Sequence, residues 1–197
     1  MAKFDEAFNF TFSCQEKFER LIFTMKKVIF REAKRDDCDE VRRLIQELAD
    51  FEKMPNGPQI DAEVLREDGF SDHPPSFGCI VMEEVGEGGI KGKLCGYAVY
   101  FISYSTWLGK AMYLEDIYVS PEYRGNKYGS KLFDLVAKKG LDMGCKRMDF
   151  RALNWNPAIE FYKRKGAVDV TKSEGWHNFT LDVVGMQNLA AKSSTRE

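Results

Sequence analysis

The chain has 197 residues, of which 44% are hydrophobic and 30% are charged, and its formal net charge is −2 at pH 7. This length is enough for one domain with a real hydrophobic core. The balanced charge argues against a nucleic-acid partner, and no apolar run is long enough to span a membrane. Five scattered cysteines without metal-ligand spacing favour a reducing compartment. We therefore expect a cytoplasmic location and no metal.

The first 25 residues differ from the rest of the chain. They are rich in phenylalanine but show no helical or strand period. Several acidic residues argue against a transit peptide, and no signal-peptide pattern is present. We interpret residues 1–25 as an N-terminal extension, flexible or loosely docked, and residues 26–197 as the folded domain.

From residue 28 onward the hydrophobic pattern alternates between strands and helices. The predicted strands cover residues 28–31, 77–83, 94–104, 110–119, 147–153, 167–171 and 176–183. The predicted helices begin at Asp36 or Asp37 and at residues 61, 127 and 158, and Gly69 and Gly166 are expected to end the second and fourth. A loop at residues 55–58 and a hairpin loop at residues 86–92 separate these elements. The pattern predicts an α/β fold with one mixed sheet and helices on both faces.

The stretch from Met112 to Ser130 is the most informative part of the sequence. An apolar strand containing Glu115 and Asp116 leads through a proline-containing turn into a basic, glycine-bearing loop, and the loop opens into a helix. The first N–H groups of a helix have no intrahelical partner, and the helix dipole favours negative charge there. Glycine allows close backbone approach, and Arg124 adds a fixed positive charge. The sequence therefore predicts an anion site at residues 124–130.

The order of these parts resembles the acetyl-CoA site of the GNAT acetyltransferase superfamily, whose pyrophosphate loop reads Arg/Gln-x-x-Gly-x-Gly/Ala. In that register Lys127 stands where the middle glycine is usual. Six further segments resemble the diamine acetyltransferase family, which includes the spermidine/spermine and thialysine acetyltransferases. These segments are residues 50–53 (DFEK), 67–70 (EDGF), 104–107 (YSTW), 113–116 (YLED), 161–167 (FYKRKGA) and 174–176 (EGW). The resemblance implies the GNAT acyl-CoA N-acyltransferase fold, with one mixed, mostly antiparallel sheet, and direct acetyl transfer within a ternary complex.

Acetyl transfer from a thioester to an amine requires removal of a proton, because an alkyl amine has a reference pKa of about 10.4. A nearby carboxylate can bind the ammonium ion and take its proton directly or through water. Neighbouring residues of a regular strand point to opposite faces, so only one of Glu115 and Asp116 is expected to face the substrate. The resemblance assigns this role to Glu115. The structural alternative is that both acids pair with Lys or Arg at a strand end.

The resemblance also implies the acetyl-CoA contacts. Tyr162 would be the general acid at the coenzyme sulfur, although a tyrosine can equally pack its ring into a core. An asparagine before its helix would contact the coenzyme, and Asn154 and Asn156 both remain candidates; Asn156 follows Trp155 as in the family, with Pro157 at the first helical position. The backbone of Ile117, Tyr118 and Val119 would hold the coenzyme carbonyl and pair with the pantetheine amides like an added strand. The phosphates would sit on the backbone amides of Gly125, Asn126, Lys127, Tyr128, Gly129 and Ser130, beside the charge of Arg124.

For the acceptor, the resemblance names a set of acids and aromatic rings suited to an alkylammonium ion: Phe51, Glu52, Trp107, Glu115, Asp116, Glu174 and Trp176. Without the resemblance, Glu52 and Glu174 would be taken as surface acids. Polyamine-selective relatives carry an aspartate two residues before the tryptophan that corresponds to Trp107. Ser105 stands at that position here, as in thialysine-type relatives. We therefore favour thialysine or a related lysine analogue over spermidine or spermine.

The resemblance further implies a homodimer with acceptor sites near the subunit interface. A different class of function is a non-catalytic module that keeps the fold and binds acetyl-CoA or a protein. Its support is Lys127 and the spacing between asparagine and Tyr162, which is one residue shorter than in the family. The presence of Glu115 and Tyr162 favours an enzyme.

Overall fold

The computed structural model describes residues 27–71, 74–86, 88 and 91–193. The predicted extension at residues 1–25 lies outside these ranges. The described residues divide into two compact units, one up to Arg151 and one from Ala152 onward. No helix in the described ranges is long and apolar enough to cross a membrane.

The first unit is built on a five-stranded sheet with the order β1-β2-β3-β4-β5. The strands are β1 (Val28–Glu32), β2 (Gly78–Val85), β3 (Lys91–Ser105), β4 (Gly109–Val119) and β5 (Met148–Phe150). Strands β1 to β4 pair antiparallel, and β5 pairs parallel to β4. The sheet is therefore mixed and mostly antiparallel, as predicted.

Three helices belong to this unit: α1 (Cys38–Phe51), α2 (Ala62–Phe70) and α3 (Tyr128–Asp142). Helix α1 buries Val41 and Leu44 in one cluster with Val81 and Tyr97 of the sheet. Helix α3 lies on the opposite face, where a Cβ at Gly140 would contact the Met112 side chain. The prediction of helices on both faces is confirmed, because alternate strand residues are apolar toward each helix.

Several predicted boundaries are corrected. Asp61 caps α2 by accepting hydrogen bonds from the N–H groups of Glu63 and Val64, as its residue type suggests. Gly69 lies inside this helix, which ends at Phe70. Strand β5 covers only Met148–Phe150, shorter than the predicted strand at residues 147–153.

The second unit contains three helices: α4 (Ala158–Arg164), α5 (Val170–Glu174) and α6 (Val183–Ser193). The two strands predicted at residues 167–171 and 176–183 are wrong. Asp169 caps α5 by accepting a hydrogen bond from the Lys172 N–H, and Gly175 ends it with φ of 77°. Residues 176–182 have no strand partner among the described residues, so their apolar alternation alone does not make a strand.

Candidate active site

A β-bulge places Glu115 in an exceptional position on β4. Val99 of β3 pairs with Asp116, but the next residue, Tyr100, pairs with Leu114, so Glu115 is the extra residue. Its side chain is 42% exposed, and its Oε1 lies 3.4 Å from Nη2 of Arg151. The structural alternative, in which the acid pairs with a basic side chain, therefore holds for Glu115, although this ion pair is exposed and weak. A bulge re-aims side chains, so the regular alternation assumed from the sequence does not apply here.

Asp116 lies on the face of the sheet that α1 covers. The Tyr97 hydroxyl donates a 2.9 Å hydrogen bond to Asp116 Oδ2. Burial raises the pKa of the Asp116 carboxyl, and the Tyr97 hydrogen bond opposes that rise. Burial also raises the pKa of Glu52, with a further contribution from the charge of Asp116. The fold thus brings two predicted acceptor residues, Glu52 and Asp116, into electrostatic contact.

Strand β4 has an open edge beyond its short pairing with β5. That pairing covers Met112 to Leu114, and no described strand pairs with residues 115–119 on that side. Because the Ser120 N–H donates to the Cys95 carbonyl of β3, antiparallel alternation turns the backbone groups of Ile117 and Val119 toward the open edge. The backbone groups of Tyr118 face β3 instead. Of the three residues predicted to pair with pantetheine, two present backbone groups at this edge.

The predicted anion loop continues from this edge into α3. Gly125 has φ of 84° and Lys127 has φ of 60°, so both adopt the left-handed conformation. Lys127 is the N-cap of α3, its own side chain makes no capping hydrogen bond, and the first turn contains no acid. A Cβ at Gly129 would lie 3.8 Å from Val119 Cγ2, which places the helix start beside the strand edge. The loop therefore fits an anionic group.

The other loop side chains contact the protein. The Asn126 Nδ2 lies 3.4 Å from the Tyr123 carbonyl oxygen and 3.5 Å from that of Arg124. The Tyr128 ring packs edge-on to Phe30 at 6.2 Å, and Ser130 is half-buried. These contacts hold the loop in shape and leave its backbone as the principal anion-binding feature.

Arg124 connects the loop to α1. Its Nε donates a 2.8 Å hydrogen bond to the Val119 carbonyl. Its guanidinium carbon lies 5.3 Å from the centroid of the Phe51 ring and 5.4 Å from that of Tyr118. The sequence predicts that Arg124 places its charge beside the anion. In the structure, the contacts of Arg124 also connect α1 to the end of β4.

A cleft of about 370 Å³ opens beside Arg124. Its lining combines carboxylates, two aromatic rings and the guanidinium: Glu47, Asp50, Phe51, Tyr118, Pro121, Glu122 and Arg124. It adjoins the predicted acceptor residue Phe51. Carboxylates with aromatic rings are a lining that suits an organic cation.

Trp107 lies at the tip of the β3–β4 hairpin and is 79% exposed. The Ser105 hydroxyl shapes this tip by accepting hydrogen bonds from the N–H groups of Trp107 and Leu108, at 3.3 and 3.2 Å. Ser105 pairs with Gly109, whereas Val99 pairs with Asp116. At about 3.3 Å per strand residue, the tip is more than about 20 Å from Asp116 along the sheet. One copy of the first unit does not bring Trp107 to the acids.

Tyr162 lies on α4 of the second unit and is half-buried. Its ring is 5.3 Å from that of Phe161. Asn156 caps this helix, because its Oδ1 accepts a 2.9 Å hydrogen bond from the Ala158 N–H. The helix is assigned from Ala158, as predicted, and Pro157 before it already has helical angles of φ −62° and ψ −16°. Asn154 is exposed in the preceding turn.

Two predicted acceptor residues meet within the second unit. The Trp176 indole Nε1 donates a 2.7 Å hydrogen bond to Glu174 Oε2. Gly175 between them adopts φ of 77°, which turns the chain so that both side chains face each other. The sequence segment Glu-Gly-Trp is therefore a small local motif with one carboxylate and one ring.

Tyr97 is the residue that the sequence reasoning missed. It is fully buried in β3, and only the register of β3 against β4 places its hydroxyl on Asp116. Its position among alternating apolar residues is typical of a core tyrosine, so the sequence carried no signal for this contact.

Residues 41–167, more than half of the chain, match the model of the Acetyltransferase (GNAT) family. The chain is 45% identical over 171 residues to a thialysine N-epsilon-acetyltransferase of Sus scrofa, a match that covers 85% of this chain and all of the relative. It is 38% identical over 162 residues to a spermidine/spermine N(1)-acetyltransferase-like protein 1 of Homo sapiens, covering 81% of this chain and 23% of that protein. A solved integron cassette protein from V. cholerae is similar in fold, with a TM-score of 0.64 at 24% identity, covering 83% of this chain and 97% of that one.

The chain belongs to the GNAT acetyltransferase family, in the group of the thialysine and spermidine/spermine acetyltransferases. It is an N-acetyltransferase. The family and the fold predicted from the sequence are confirmed. GNAT acetyltransferases use acetyl-CoA, which agrees with the anion-compatible loop at the start of α3.

Proposed function

We propose that this protein is an acetyl-CoA-dependent N-acetyltransferase that acts on the primary amine of thialysine or a related lysine analogue. The observation that carries the proposal is a juxtaposition within the first unit. An open strand edge leads directly to the start of α3, where the N-cap Lys127 makes no side-chain capping hydrogen bond, and the carboxylates of Glu115 and Asp116 lie on the same strand. This arrangement can hold an extended anionic coenzyme beside an ammonium ion.

The residues of this edge fit the coenzyme. The backbone groups of Ile117 and the N–H group of Val119 are turned to the side where an extended chain carrying amides could pair like an added strand, while the Val119 carbonyl accepts from Arg124. The N–H groups of Gly129 and Ser130, at the start of α3, would hold phosphate oxygens. Lys127 adds positive charge at this place. When bound, acetyl-CoA supplies an activated acetyl group as a thioester.

The chain's own part in the reaction is to position the amine and to move protons. We propose that Glu115 binds the substrate ammonium and removes its proton, directly or through water. Its place at a bulge supports this role, because bulges re-aim side chains near active sites. Tyr162 is proposed to donate a proton to the leaving sulfur, and Asn156 or Asn154 to contact the coenzyme.

The acceptor preference rests on charge. We propose Phe51, Glu52 and Asp116 of the first unit, and Glu174 and Trp176 of the second, as acceptor-binding residues. The hydrogen bond from the Trp176 indole to Glu174 supports these last two residues acting together. Ser105 provides no carboxylate for a second distant cationic centre, so a polyamine gains less than an amino acid with one side-chain amine. The 45% identity to thialysine acetyltransferases points the same way.

Steady-state assays with acetyl-CoA test this proposal directly. The acceptors are thialysine, lysine, spermidine, spermine and putrescine at matched concentrations. We expect the highest kcat/KM with thialysine. A higher value with spermidine or spermine would assign the protein to polyamines instead. Absence of turnover with every amine would favour a non-catalytic acetyl-CoA-binding module.

We further propose a homodimer in which the hairpin tip of one copy serves the acceptor site of the other. Trp107 and Tyr104 are both more than 70% exposed, with Leu108 half exposed beside them. Within one first unit Trp107 lies too far from Asp116 to contact the same small amine. A second copy would cover this apolar tip and supply the missing ring.

Light scattering and complementation test the dimer. A mass that stays at one chain across concentrations would refute it. Trp107→Ala and Glu115→Gln are each expected to lower activity. Mixing the two variants after reversible dissociation should restore activity, since one of the two shared sites then carries neither substitution. No gain on mixing would show that each copy builds its own site.

We propose that residues 26–197 form the N-acetyltransferase domain and that the protein is cytoplasmic. The family match at residues 41–167 lies within these domain limits. A cytoplasmic location is supported by Cys38, Cys79, Cys95 and Cys145, which are all free thiols.

A further inference from the structure

Two tyrosines of β3 occupy chemically similar positions on opposite faces of the sheet. Tyr97 is fully buried and donates to Asp116 at 2.9 Å, on the face covered by α1. Tyr100 is also buried, and its hydroxyl lies 3.3 Å from Glu32 Oε2. Only the first of these carboxylates lies on the strand of the proposed active site. The pair therefore offers a natural comparison between a tyrosine at the site and one away from it.

The geometry around Asp116 leaves Tyr97 as its close hydrogen-bond donor. Tyr97 pairs with Tyr118 across the two strands, so Asp116 is its diagonal neighbour on the same face. We propose that Tyr97 is a positioning residue that holds the Asp116 carboxylate in the orientation and charge state needed to bind the acceptor ammonium. This inference rests on the proposed function, in which Asp116 is an acceptor-binding residue.

Asp116 interacts electrostatically with groups from five parts of the first unit: Glu52 after α1, Cys79 on β2, Tyr97 on β3, Glu115 on β4 and Arg151 after β5. Tyr97, Glu115 and Arg151 shift the pKa of Asp116 itself. The charge of Asp116 in turn raises the pKa of Glu52 and of Cys79. Arg151 is the one basic group in this set, and it is engaged with Glu115. Burial is the largest cause of the raised pKa of the Asp116 carboxyl. The Tyr97 hydroxyl favours the ionised form, because a donor stabilises the charged carboxylate.

Loss of this hydroxyl has a predictable direction. In Tyr97→Phe the ring remains, but the charged form of Asp116 loses its donor, so the pKa of Asp116 rises. The titration midpoint of Asp116 should move upward, because the hydrogen bond that stabilises its ionised form is lost. At acidic pH, the acceptor KM of Tyr97→Phe should be higher than that of the parent, because a smaller fraction of the Asp116 carboxylate is ionised. The KM for acetyl-CoA should not change.

The first measurement does not depend on activity. The carboxyl carbon of Asp116 is followed by NMR during a pH titration of the parent, Tyr97→Phe and Tyr100→Phe proteins. Tyr97→Phe should raise the midpoint, and Tyr100→Phe should leave it in place. An unmoved midpoint in Tyr97→Phe would overturn the proposal even if the protein acetylates thialysine as expected.

The second measurement separates positioning from simple packing. Acceptor KM and kcat are measured against pH for Tyr97→Phe, Asp116→Asn and the double variant. The effect of Tyr97→Phe on the acceptor KM should disappear in the Asp116→Asn background, because no titrating carboxylate remains. An equal effect in both backgrounds would mean that Tyr97 acts through packing. If no amine is acetylated at all, the proposed function fails, and the NMR titration still decides whether Tyr97 controls Asp116.

Discussion

The left-handed conformation of Lys127 allows a sharp test of the coenzyme loop. Lys127 stands where the family pattern has glycine, and its φ is 60°. An L-residue in this conformation costs about 1–2 kcal/mol because its Cβ crowds the backbone. Glycine has no such cost, so Lys127→Gly should stabilise the folded protein.

The expected gain is the difference between two effects. Relief of the left-handed strain is offset by the greater freedom of glycine in the unfolded chain, worth about 0.4–1 kcal/mol. The net stabilisation is therefore about 1 kcal/mol, which corresponds to a rise in Tm of about 2–4 °C for a chain of this size.

Thermal unfolding of three variants measures this gain. Lys127→Gly should raise Tm, whereas Lys127→Ala removes the same charge but keeps Cβ and should leave Tm near that of the parent. Lys53, after α1, has φ of 62° and is the matched control. Lys53→Gly should raise Tm by a similar amount without changing the KM for acetyl-CoA. Equal Tm values for Lys127→Gly and Lys127→Ala would refute the reasoning that the backbone angle is strained.

Three further predictions concern the proposed site. Gly129→Val should raise the KM for acetyl-CoA severalfold while the protein stays folded, because a Cβ there meets only Val119 at 3.8 Å; an unchanged KM in a folded variant would count against the phosphate placement. Tyr162→Phe should lower the single-turnover rate by about 10²–10⁴-fold with little change in coenzyme affinity, since only the proton donor is lost; a rate within about threefold of the parent, well below that range, would make Tyr162 a packing residue. Ser105→Asp should raise kcat/KM for spermidine severalfold, because it supplies a carboxylate for a second cationic centre, and Ser105→Asn keeps the hydrogen-bonding oxygen of the turn without the charge. An equal gain in both Ser105 variants would show that charge is not the cause.

Local chemistry explains why much of the fold could be predicted from the sequence. The helical spacing of Val41 and Leu44, the cap at Asp61, and the strand-to-loop transition after Val119 each depend on residues close together in the chain. The family resemblance rested on short motifs of the same kind. The two strands predicted after residue 166 failed because a strand needs a partner, which its own sequence does not specify.

The site divides in the same way. The sequence by itself determined which residue types are available: the acids of β4, the glycine-bearing loop, and the positive charges around it. Strand register decided their geometry. It made Glu115 the bulged residue, placed Tyr97 on Asp116, and turned Ile117 and Val119 toward an open edge. Register depends on how strands that are distant in the sequence pack and pair. A shift of one residue in the pairing of a strand would send all of its side chains to the opposite face of the sheet.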